Sequence, residues 1–311
     1  MISAATKASL RYVKVSGSED LGFFPDFLIV GPQRTGTTWL HAQLRYHPEI
    51  MLAEPKELFF FSSLKHRDGP RYRSDELRWY LQFFREPLWR AALHQAMCLR
   101  QFRTWYRPKI RGEATASYAV LDRDVIEEIV ALNPEIKVIL MIREPIDRAW
   151  SHAKKDLVRN RGRTVADVPP EEFERFFADP YQRRCARYVE QIDNWTACLR
   201  PNHLMIGLFD DVDARPEALL LAVMRFLGVS SDRRYLPRAV GEPVNPTGAS
   251  EIPDRYRRFL EDLLKDDIAK LQERFGLSWS ALESGGHLIG QPTCRATDEG
   301  RLVFALTHRQ K

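Results

Sequence analysis

Gly31 and Gly36 bracket a turn, Gly31-Pro32-Gln33-Arg34-Thr35-Gly36, that follows an apolar run over residues 27–30 and leads through Thr37, Thr38 and Trp39 into a helical pattern. Residues of these types at this spacing suit the holding of an anion. Glycines let the backbone bend until successive N–H groups face one point, and the next helix adds unpaired donors and the positive end of its dipole. Arg34 adds a full charge. A second segment, Lys137 to Ser151, reads as a buried strand whose end delivers Arg143, then a helix opened by Pro145, a residue suited to a first helical turn. Arg143 as a fork and Ser151 as a neutral donor can converge on one phosphate. Two anion sites on one chain imply a ligand with two separated anionic groups.

The first turn departs from the triphosphate-binding loop G-x-x-x-x-G-K-[ST], in which lysine directly follows the second glycine. Here Thr37 occupies that position and the cation stands earlier, at Arg34. A nucleotide kinase or triphosphatase, the first rival reading, would need that lysine and an acidic magnesium ligand at a strand end. Asp210 and Asp211 could supply only the second.

The two segments together resemble the cofactor signatures of sulfotransferases that use 3′-phosphoadenosine 5′-phosphosulfate. The first is similar to their 5′-phosphosulfate loop, and Arg143-Glu144-Pro145-Ile146-Asp147-Arg148-Ala149-Trp150-Ser151 to their R-x-x-x-x-R-x-x-S motif for the 3′-phosphate. The likeness is greatest to the heparan-sulfate and related bacterial branch. Gly112-Glu113-Ala114-Thr115-Ala116-Ser117-Tyr118 resembles the GE-x-TPSY segment of that branch, and residues 187–192 its Y-x-x-x-L helix. Three departures stand out: Arg34 for the usual lysine, Ala116 for proline, and His152-Ala153 where aromatics are common. The resemblance covers residues 20–283. It implies that Arg34, Thr35, Gly36, Thr37, Thr38 and Trp39 hold the 5′-phosphosulfate, that Arg143 and Ser151 hold the 3′-phosphate, and that no metal is required. A desulfated-nucleotide binder without transfer activity is the second rival.

Transfer to a hydroxyl, or less readily an amine, also needs a base. Glu57 is the candidate: Lys56-Glu57-Leu58-Phe59-Phe60-Phe61 is similar to the family's K-E-x-x-F-F segment, whose glutamate has that role. Three adjacent phenylalanines imply a partly dry wall, which would raise a glutamate's affinity for a proton, and Lys56 would offset the effect. Glu54 and His41 are reserves, with His41 read as helix surface.

The elements that must position these groups follow from periodicity. Strands are expected at residues 27–30, 138–142 and 204–209, and helices at 38–46, 125–132, 181–199, 216–227 and 253–275. Strand and helix alternate, which implies an α/β, P-loop-type fold: a central parallel sheet with helices on both faces and ligands at the strands' C-terminal ends. With 311 residues, no linker and no repeat, one domain over 20–283 is expected, with loose terminal segments at 1–19 and 284–311. No apolar run approaches the roughly 20 residues that span a bilayer, and the first residues lack the apolar middle of a signal peptide, so a cytoplasmic location is expected. Cys98, Cys185, Cys198 and Cys294 have no close-pair spacing and read as free thiols. The net charge of +5 includes a basic and aromatic run at residues 100–111 and another at 148–163. These either line a groove for a small-molecule or carbohydrate acceptor, anionic in one version, or simply attract a polyanionic cofactor. No nucleic-acid module is present, so no nucleic-acid partner is expected.

Overall fold

The computed structural model describes residues 2–242, 251–275, 277 and 302–304. Six strands, β1 (Phe27–Val30), β2 (Ile50–Leu52), β3 (Ile110–Ala114), β4 (Lys137–Ile142), β5 (Leu204–Leu208) and β6 (Leu302–Phe304), form one sheet in the order β2-β3-β1-β4-β5-β6. Every pairing is parallel. Strands buried on both faces read as unbroken apolar runs, as Phe-Leu-Ile-Val in β1 and Val-Ile-Leu-Met-Ile in β4 do.

Alternation sorts these runs onto two cores. Leu28 and Val30 of β1 and Val138, Leu140 and Ile142 of β4 pack against the helices Arg123–Leu132 and Tyr188–Cys198. On the other face, Phe27, Ile29, Ile139 and Met141 pack against the helices Thr37–Leu44 and Pro216–Leu227. A third cluster lies beside the sheet. In it Trp150, from the helix Pro145–Ala153, stacks on Tyr256 of the long helix Asp254–Phe275 at 5.4 Å, with Phe173 against both rings. That cluster fixes the helix carrying Ser151.

Several expectations change. The helix read over 181–199 is two helices, Pro180–Ala186 and Tyr188–Cys198, broken at Arg187, where ψ is 63°. No glycine or proline marks the break. It is set by tertiary contacts: Tyr181 on one side bonds to Gln33, and Tyr188 on the other to the Arg143 backbone. The N-terminal segment, expected to be loose, is tied down, because the buried Glu128 carboxylate accepts the backbone N–H groups of Arg11, Tyr12 and Val13 at 2.6, 2.8 and 2.9 Å. Most of 284–311 lies outside the described residues, although Leu302–Phe304 within it pairs with β5. Cys98, Cys185 and Cys198 are free thiols, and Cys294 lies outside the described residues. No helix among the described residues is long and apolar enough to cross a membrane.

The crossing from β1 into its turn leaves no room for a side chain. Gly31 has φ of +152°, and a Cβ there would lie 2.5 Å from the Met141 carbonyl oxygen and 2.7 Å from Thr35 Oγ1. The first of these atoms is sheet backbone and cannot move aside. Gly31→Ala should therefore lower the unfolding free energy by about 3 kcal/mol, as overpacking and backbone strain combine, and denaturant titration of the two proteins should show the difference.

Candidate active site

The C-terminal ends of β1, β4 and β5 are neighbours, so the segments that follow them meet. The turn after β1 is wound by left-handed residues, Arg34 with φ of 77° and Gly36 with φ of 92°, and by the buried Thr35, whose hydroxyl donates to the Pro32 carbonyl at 2.8 Å. Gly36 caps the helix Thr37–Leu44 without a side-chain hydrogen bond. The helix therefore keeps its first N–H groups for an external acceptor. Thr37, Thr38 and Trp39 stand in its first turn, with Trp39 turned into the core and its ring N–H donated to the Val240 carbonyl at 3.2 Å.

Both anion segments meet at one place. Arg34 Nε donates to Ser151 Oγ at 2.9 Å, and Arg143 donates to the Arg34 carbonyl at 3.4 Å. The Arg143 guanidinium lies 4.2 Å from the centre of the Phe209 ring, which follows β5, and its backbone is held by the Tyr188 hydroxyl. Two further cations, absent from the sequence reading of the site, join the cluster. Burial, then Arg143 and Arg159, lower the Arg34 pKa, with Asp156 opposing; burial, then Arg143 and Arg34, lower that of Lys154. Arg34, Arg143 and Lys154 thus repel one another across a partly dry cleft, with the exposed Arg159 acting on Arg34 and with Asp156 and Asp147 opposing, an arrangement that an anion of high charge would relieve. Only the basic pattern of residues 148–163 signalled it. Arg148, the second arginine of the R-x-x-x-x-R-x-x-S run, stands apart: it is 1% exposed and donates to Gln182 at 3.5 Å, bracing helices instead of facing the cleft.

The carboxylates lie on the other side of the turn. Glu57 is mostly buried and pairs with Lys56 at 3.3 Å. Its position is fixed by its neighbours: the Leu58 N–H donates to Thr115 Oγ1 at 3.2 Å, and the Thr115 N–H donates to the Ile29 carbonyl of β1 at 3.1 Å. Thr115 therefore pins the Glu57 turn to the strand that carries the anion turn. Its hydroxyl hydrogen goes to Glu113 Oε2 at 2.8 Å, and the Tyr80 hydroxyl donates to the other Glu113 oxygen. Glu113 is 1% exposed, and burial, with Glu57 adding to it, pushes its pKa up to about 7. Sequence reading noted this glutamate only as part of a similar segment, because nothing in Gly-Glu-Ala-Thr marks a strand with a buried acid.

Both reserve bases change character. His41 is buried rather than on the helix surface, and burial, with Lys56 and Arg45 nearby, lowers its pKa to about 4. Glu54 is paired with Arg45 at 3.1 Å and Arg90 at 3.6 Å. The basic run at 100–111 is also misplaced for a groove beside the transfer site. Its backbone bonds to Pro48 and Glu49 just before β2, and it enters β3 at Ile110, at the N-terminal end of the sheet. Asp211, offered for a magnesium site, is clamped by Arg215 at 2.6 Å.

Residues 25–233 match the model of the sulfotransferase family. The chain belongs to that family. Among curated proteins it is 26% identical over 235 residues to mouse bifunctional heparan sulfate N-deacetylase/N-sulfotransferase 4, covering 70% of this chain and 24% of that one. It is also 26% identical over 225 residues to the human N-deacetylase/N-sulfotransferase 2, covering 68% and 23%. The chain thus spans about a quarter of the length of these relatives. Among solved structures, a sulfotransferase from Alicyclobacillus acidocaldarius shares the fold, with a TM-score of 0.58, 22% identity, and coverage of 80% of this chain and 94% of that one. Family membership fits the meeting of both anion segments.

Glu113 gives a pH signature. Its folded pKa of about 7 lies above the ordinary 4.5, so the folded state binds the extra proton. Its contribution is most favourable below 4.5, falls as pH rises from 4.5 to 7, and stays low above that, a loss of about 3 kcal/mol. In denaturant titrations the unfolding free energy of Glu113→Gln should gain on that of the parent protein by this amount between pH 4.5 and 8. A difference that does not change with pH would show that Glu113 holds no proton in this range.

Proposed function

We propose that this sulfotransferase moves a sulfuryl group from 3′-phosphoadenosine 5′-phosphosulfate to a hydroxyl, or less readily an amine, of a carbohydrate or small metabolite. The observation that carries the reading is the junction of Arg34, Ser151 and Arg143, which joins two anion-binding segments into one basic cleft. A donor with a phosphosulfate at one end and a 3′-phosphate at the other has the matching charge. Arg34 and the N–H groups from Thr35 to Thr38 hold the phosphosulfate, while Arg143 and Ser151 hold the 3′-phosphate.

When bound, the donor supplies the sulfuryl group: the acceptor O–S bond forms as the sulfur–oxygen bond to the 5′-phosphate breaks, and that oxygen leaves with the electron pair. Glu57 takes the acceptor's proton, leaving a neutral carboxyl. Arg34 and the helix N-terminus face the charge that grows on the departing phosphate, a task in which fixed donors in a dry site are worth most. Thr115 holds Glu57 against β1, so that base and anion turn share one frame. The N-sulfotransferase activity for which the relatives are named supports sulfuryl transfer, and an amine acceptor is the second reading on that ground.

Radiolabelled donor and a cell extract, followed by mass spectrometry of sulfated products, test transfer directly. Glu57→Gln should lower that transfer by about 10²- to 10⁴-fold, the usual span for a general base, while calorimetry shows affinity for adenosine 3′,5′-bisphosphate within about twofold of the parent. Arg34→Ala should cost turnover by about 10²-fold, more than it costs donor affinity, because the cation acts mainly on the leaving oxygen. Arg143→Ala should show the opposite split, with weakened bisphosphate binding as the main loss. Equal kinetic effects of the two arginine variants would oppose this division of roles.

A further inference from the structure

Beside the candidate active site, residues 61–72 and residues 117–125 enclose a cavity of about 400 Å³, closed on one side by Tyr181. The Tyr181 hydroxyl exchanges hydrogen bonds with the Gln33 side chain at 2.6 and 2.9 Å, so this wall is tied to the anion turn one residue before Arg34. Arg71, in the cavity's lining, lies over the ring of Phe59, two residues along the chain from the candidate base Glu57.

Resting on the sulfotransferase reading above, we propose that this cavity is the acceptor site and that it takes an uncharged alcohol or phenol with an apolar body. Its volume fits a small molecule and not a polymer. Phe61, Tyr72, Leu121 and Val125 give it apolar and aromatic walls. The cations that line it are largely committed. Lys65 lies 2.9 Å from Asp122 and 2.7 Å from Asp124, and Arg184 lies 2.6 Å from both Asp122 and the Val120 carbonyl. Arg71 lies over the Phe59 ring, 4.7 Å from its centre. Polar donors and acceptors suited to one hydroxyl are present in Ser62 and Ser117, whose hydroxyls lie 2.8 Å apart. A polyanionic glycan would find Asp122 in the lining and, apart from Arg71, cations already paired with acids, so discrimination runs against it.

Sulfate transfer from labelled donor to 2-naphthol and to n-octanol, as neutral apolar alcohols, and to a heparosan hexasaccharide, as a polyanion, separates the classes. The expected result is product with a neutral alcohol and none with the hexasaccharide. Ser62→Trp, which fills the cavity from a half-buried position, should lower kcat/KM for that alcohol by about tenfold or more. Binding of adenosine 3′,5′-bisphosphate, measured by calorimetry, checks that the variant is folded and that its donor site is intact. Transfer to the hexasaccharide, to no acceptor class, or to naphthol undiminished in a folded Ser62→Trp protein would overturn the acceptor assignment while leaving donor binding standing. Failure of the parent protein to bind the bisphosphate would overturn the sulfotransferase reading itself, and the acceptor assignment with it.

Discussion

Mutual repulsion among cations is the constraint on which this structure turns. Arg34, Arg143 and Lys154 are drawn together at the C-terminal ends of the central strands, partly out of water, with the exposed Arg159 adding to the field, at a cost that burial and like charge both increase. The fold holds them there. β1 and β4 are adjacent and in register, Phe27 opposite Lys137 through Val30 opposite Leu140, so the turns that leave them have no choice but to meet. The Tyr188 hydroxyl grips the Arg143 backbone, and the Trp150 cluster fixes the helix that brings Ser151 to Arg34. A site strained in this way is preorganised for an anion, because the ligand relieves a repulsion that the packing has already imposed.

The acidic side of the cleft follows the opposite logic. Glu113 and Glu57 are two carboxylates close enough for one to raise the other's proton affinity, and each is held by hydrogen bonds that lead back to β1 or to the aromatic layer around Tyr80 and Tyr118. Phe60 stacks on Tyr80 at 4.8 Å and Phe61 meets it edge-on at 5.1 Å, which keeps water from the buried acid. The apolar run Phe59-Phe60-Phe61 is therefore structural first. Its effect on chemistry comes through the dry wall it builds behind the carboxylates.

Legibility in the sequence divided along a physical line. Features encoded by local pattern were readable: the apolar runs of β1, β4 and β5, the glycine-bounded turn, Pro145 at a helix start, and from these a parallel α/β sheet with both anion segments at strand ends. Features created by distant contacts were not. β3 carries Arg111, Gly112 and Glu113, a composition that hides a strand, and it exists because it is held between β1 and β2. The break at Arg187 has no breaker residue; the hydroxyls of Tyr181 and Tyr188 impose it. His41 looked like surface by helix position and is buried because β2 and its neighbours close over it. The same limit applies to charge: the runs at 100–111 and 148–163 look alike in composition, yet they lie at opposite ends of the sheet, and only the second contributes cations to the cleft.

Arginine at position 34 is explained by what the side chain joins. A lysine ends in one nitrogen, a point charge that can approach one oxygen well. The guanidinium is a planar fork whose Nε hydrogen points along a different edge from those of its two terminal nitrogens. In this chain the Nε hydrogen goes to Ser151, across from the first anion segment to the second. One residue thereby couples the two halves of the cleft. Substitution by lysine would keep the charge and lose the coupling, so the two anion segments would be positioned by packing alone. The exchange is therefore a change in how the site is held together as well as in how it binds.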